Sequence, residues 1–124
     1  MRWFLLVAAA TAASLAAAMP AGAAPSAQQS WASDANKVCS VWIAKAKKEF
    51  GSPVTPAQLY SFAHKAQTLE QQELGALEKI PGRSDAGAAA LAAVRVDIAE
   101  IGSAIKAWDQ GKPASFITIL KRYL

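Results

Sequence analysis

Apolar side chains in this chain recur three and four residues apart over long stretches, the spacing that returns to one side of a helix at each turn. Between Ser30 and Phe50 the stripe is Trp31, Ala35, Val38, Cys39, Trp42, Ile43, Ala46 and Phe50. Lys37, Lys45, Lys47 and Lys48 fall mostly off it, and Gly51-Ser52-Pro53 ends the segment. A second segment opens on Thr55-Pro56-Ala57-Gln58. Thr55 caps, Pro56 suits the first helical position, and Gln58 completes a capping box. Its stripe is Leu59, Phe62, Ala63, Ala66, Leu69, Leu77 and Ile80, closed by Pro81-Gly82. The third segment starts at Ser84 and carries Leu91, Val94, Ile98, Ile101, Ile105 and Trp108 in three-four alternation, with Gly111 and Pro113 at its end. A short fourth segment, Ala114 to Tyr123, offers Phe116, Ile119, Leu120 and Tyr123 as a lid. No strand alternation or hairpin signal occurs. The predicted fold is all-α: a small up-down bundle of three long helices plus a short C-terminal helix.

The beginning of the chain follows a different rule. Arg2 is a basic start, Trp3 to Ala18 an apolar run, Met19-Pro20 a helix break, and Ala21-Gly22-Ala23 the small residues that signal peptidase requires. Residues 1–23 are therefore expected to be a cleavable secretory signal, 24–29 a flexible new N-terminus, and 30–124 the bundle. Pro20, Gly22 and the weak hydrophobicity of alanine argue against a retained transmembrane anchor. The short basic start without an arginine pair points to the general secretory route, and so to a secreted or cell-envelope location.

Charge adds little. The whole chain has 13 Lys and Arg against 9 Asp and Glu, a net +4; losing Arg2 with the leader makes it +3. Nucleic acid as a partner calls for a denser basic face. The single cysteine, Cys39, has no partner within the chain. An odd cysteine in an exported protein admits a disulfide-linked homodimer, but its place in the apolar stripe favours core packing.

Catalytic chemistry finds few materials. His64 is the only histidine, and no Gly-x-Ser-x-Gly elbow accompanies it. Gly87, Gly102 and Gly111 form no phosphate loop. A di-metal carboxylate centre needs two Glu-x-x-His motifs, which one histidine cannot supply. A secreted chorismate mutase needs several converging arginines, and only Arg83, Arg95 and Arg122 follow the leader. Glu70 and Glu73 do interrupt the second stripe. Folding the third helix back about Pro81-Gly82 brings Glu70 level with Arg95 and predicts a bridge between them. Tyr60 and His64, one helical turn apart, are candidate haem ligands through phenolate or imidazole. That pair is similar to the Tyr and His of small exported helical haemophores of mycobacteria, from which the chain departs in having Lys65 where proline is expected and in lacking a cysteine pair.

The downstream part also resembles uncharacterised small exported helical proteins of high-GC actinobacteria. The resemblance rests on Val38-Cys39-Ser40-Val41-Trp42, the Thr55-Pro56 cap, Leu74 and Leu77, the Pro-Gly turn and the third amphipathic helix. Many such proteins have a second cysteine near the C-terminus, absent here. The resemblance implies fold and location without specifying an activity. The expected function is a secreted or envelope-associated, non-catalytic interaction module without cofactor, metal or nucleic acid; a small-ligand carrier, with haem as the concrete candidate, is the alternative.

Overall fold

The computed structural model describes residues 26–123. The expected signal at 1–23 lies outside the described residues. Among the described residues four helices follow one another: α1 Ala27–Glu49, α2 Pro56–Glu78, α3 Asp85–Asp109 and α4 Pro113–Tyr123. Among the described residues there is no strand, and no helix is long and apolar enough to cross a membrane. The all-α architecture with a short last helix is the one the periodicity predicts.

The ends are set by local chemistry. The Ser26 hydroxyl accepts from the Gln29 amide while the Gln29 side chain accepts from the Ser26 amide. This capping box starts α1 three residues before Ser30, so the segment expected to be flexible already supplies the first turn. Thr55 and Gln58 make the same reciprocal pair at α2, with Pro56 in the first turn. Ser84 caps α3 through the Gly87 amide. At the far end of α3 the Gly111 amide bonds to the Trp108 carbonyl and Lys112 to Ala107, a Schellman closure. Gly111 has φ +70°, which glycine adopts without Cβ strain. Pro113 then opens α4 at once.

Two apolar clusters of described residues fill the interior. One joins Ala63 and Ala66 of α2, Ile101, Ala104 and Ile105 of α3, and Phe116, Leu120 and Tyr123 of α4. The other joins Trp31 and Ala35 of α1 to Leu77 and Leu91. Here α1 comes close to α3: a Cβ on Gly87 would lie 3.0 Å from the Trp31 ring. Most packing nevertheless runs α2 on α3 and α3 on α4, with α1 laid chiefly against α2. Along α2, Glu70 and Glu73 fall between the residues given to the two clusters. Along α3, Asp97 does the same. A polar layer therefore divides the core.

Candidate functional site

The polar layer is the most unusual chemistry in the molecule. Glu70 is only 7% exposed. Its Oε1 accepts a 2.7 Å hydrogen bond from the Tyr123 hydroxyl, and its Oε2 has no partner among the described residues. Burial, with the nearby charges of Asp97 and Glu73, pushes the Glu70 carboxyl up from 4.5 to about 7, while the tyrosine bond pulls the other way. The neutral acid is therefore heavily populated near neutrality, because a lone buried carboxylate loses too much hydration.

Glu73 lies one turn further on and faces the Cys39 thiol of α1. Burial raises its carboxyl as well, and the facing thiol opposes that rise. Cys39 is pushed up from 9.0 to about 12, first by burial and then by Glu73. Thiolate is the reactive form, so this cysteine is inert despite its incomplete burial. At pH 8, alkylation by iodoacetamide is expected to run about a hundredfold or more slower than for a free cysteine. Glu73→Gln should accelerate it without unfolding the protein. Alkylation of the native wild type at the free-cysteine rate would show that the thiol is not held this way. The same inertness leaves little thiolate for a disulfide between two copies.

The predicted Glu70–Arg95 bridge is not formed. Arg95 instead donates to Glu78, and both side chains are about half exposed, which limits that pair to about 1 kcal/mol. The cause is register. Gln67 lies against Gly102 and Glu78 reaches Arg95, so α3 sits roughly one turn further along α2 than a tight fold-back gives. Glu70 thereby meets Asp97 of α3 and Tyr123 of α4.

Tyr60 and His64 are brought together, but not onto a common opening. Their rings touch edge to face at 4.6 Å between centroids, and Tyr60 stacks on Trp108 at 5.2 Å. The Tyr60 hydroxyl donates to Asp109 Oδ1 at 2.6 Å, which raises the phenol above its ordinary value and keeps its proton on. His64 is exposed and lines an open depression of about 290 Å³ with Lys45, Glu49, Lys65 and Gln72. A second depression, about 380 Å³, lies between the end of α1 and the start of α2, at Phe50, Pro53, Gln58 and Phe62. Tyr60, Glu70 and Glu73 line neither depression. Among the described residues no cluster of His, Cys, Asp or Glu is arranged to hold a metal.

Both glutamates stand out in the sequence, whereas Tyr123, the donor to Glu70, and Asp97, its acidic neighbour, do not. A usable signal was present: a tyrosine on the inward stripe of a short helix needs an acceptor, and buried acids need a donor. Comparison with known proteins supplies no identity: no family model, curated protein or solved structure matches the chain.

Proposed function

We propose that the protein is an exported, non-catalytic interaction module, and that its partner-facing surface is the outer flank of α1. The observation that carries this reading is the seating of α1, which packs chiefly on one neighbour and leaves its flank open. Lys37, Val41, Lys45 and Lys48 share a narrow sector of that flank, and all four are exposed. Val41 is 55% exposed, a large aliphatic side chain set among cations. Beside them the half-buried Trp42 has the Lys45 ammonium over its ring at 3.8 Å. Lys37 is paired with the exposed Asp34 at 2.8 Å, and the apolar anchors beside Lys45 and Lys48 suit a partner with acidic groups around an apolar spot. The signal-like start of the chain and the resemblance to exported actinobacterial helical proteins agree with an envelope setting.

Site-specific photocrosslinking during export by its own leader tests this. A crosslinker at position 41 should give a discrete adduct that Lys45→Glu and Lys48→Glu together abolish, while a crosslinker at the exposed Thr118 of α4 gives none. Equal labelling from both positions, or none from either, would reject the assignment.

The carrier reading draws support from the Tyr60–His64 ring contact alone. Ligation by Tyr60 would require breaking its bond to Asp109 and removing a proton that this bond retains. A Soret shift on adding haemin, lost in His64→Ala, would restore that reading. An enzymatic role for Glu70 and Glu73 has less support still, since neither lines either of the two depressions described above.

A further inference from the structure

The buried carboxyl of Glu70 is joined to α4 through one side chain, the Tyr123 hydroxyl, at the last turn of that helix. Its second oxygen, Oε2, is buried and has no hydrogen-bond partner among the described residues. The charged groups that face it are themselves acids: Glu73 from its own helix and Asp97 from α3, with the Cys39 thiol of α1 behind Glu73. The cations of the α4 turn, Lys121 and Arg122, are exposed. Ionised, this carboxyl keeps one donor, the Tyr123 hydroxyl, beside the acids Asp97 and Glu73. The cheapest route to water is the last turn of α4. That helix is held mainly by α3, with little contact to α2, and helix ends open at lower free energy than helix centres.

We infer that Glu70 and Tyr123 form a proton-controlled latch: with Glu70 protonated the last turn of α4 is closed over the polar layer, and ionisation of the carboxyl opens that turn to water. The direction follows from linkage. An open turn returns Glu70 to a hydrated environment, where it ionises near 4.5, against about 7 when closed. Raising the pH from 5 to 9 therefore multiplies the opening equilibrium of the turn roughly 75-fold. The tyrosine bond opposes the change, because it strengthens when its acceptor is charged. It sets the midpoint rather than the direction.

The test is a pH titration of the exported protein by NMR, following the Glu70 side-chain carboxyl carbon and the backbone amides of residues 116–123. The expected result is a Glu70 midpoint near 7, with the amides of residues 120–123 moving toward disordered positions at the same midpoint. In Glu70→Gln the α4 amides should stay at their low-pH positions throughout. Tyr123→Phe removes the bond that favours the charged form, so the Glu70 midpoint should move to higher pH. A Glu70 midpoint near 4.5, α4 amides that ignore the titration, or α4 amides that still titrate in Glu70→Gln would each overturn the latch. So would a downward shift of the midpoint in Tyr123→Phe.

Discussion

Replacing Glu70 by Gln is expected to make the protein more stable at pH 8.5 and to flatten most of its dependence on pH. The wild-type carboxyl binds its proton more tightly folded than unfolded, about 7 against 4.5. Its contribution is thus fully present below the unfolded value and is lost as the pH rises through the folded one. At about 1.4 kcal/mol per pKa unit, the loss between pH 4.5 and pH 8.5 is up to about 3 kcal/mol. That is a large share of the 5 to 15 kcal/mol that typically holds such a domain. Glutamine keeps an oxygen for the Tyr123 hydroxyl and cannot ionise. Its amide hydrogens need partners of their own, which costs about 1 kcal/mol at any pH. The stability curves of wild type and variant should therefore cross, with the wild type ahead at pH 4 and the variant ahead at pH 8.5. Urea unfolding at those two values measures this directly. A wild type equally stable at both, or a variant with an unchanged slope against pH, would refute the account. Glu73 is also raised by burial, so a smaller residual slope of the same sign is expected in the variant.

The fold was largely legible before any coordinates because its signals are local. Thr55 with Gln58, Ser84, Gly111 and Pro113 act within four residues of themselves, and each ends or begins a helix as its chemistry requires. The apolar stripes depend only on the helical period, and Trp31, Leu77, Leu91, Ile101 and Phe116 all lie buried on them. The polar layer was half legible. Two glutamates inside a stripe announce a buried charge problem, but its solution is a matter of register between helices. A shift of about one turn was enough to exchange Arg95 for Asp97 and to place Tyr123 within reach. Such a shift is decided by how side chains pack along the whole interface, for instance Gln67 against Gly102, and no short motif encodes it. The Tyr60–His64 pair fails differently. Its spacing along α2 correctly places the rings side by side, yet Asp109, distant in sequence, takes the hydroxyl. Residues that act locally can be read from the sequence; partners chosen across helices cannot.

The polar layer and the α4 lid form one system, and truncating Phe116 to Ala should show this through the largest loss of stability of any single change considered. Phe116 is fully buried. Its ring meets Trp108 edge to face at 5.2 Å, and Tyr60 at 6.3 Å, while Tyr60 and Trp108 stack on each other. Removing a buried phenyl ring costs about 3 to 5 kcal/mol, from lost transfer energy and from the cavity left behind. Rigid helices on either side limit collapse into that space. Phe116→Leu keeps most of the volume and should cost about 1 to 2 kcal/mol. Denaturant unfolding followed by Trp fluorescence reports the difference, since Trp108 lies against the missing ring. The variant also discriminates between two views of α4. If α4 is an ornament on a three-helix core, Phe116→Ala costs less than about 1 kcal/mol and the pH dependence caused by Glu70 persists. If α4 seals the polar layer, loosening it hydrates Glu70. The carboxyl then titrates near its unfolded value, and the extra stability at low pH disappears together with the packing of the lid.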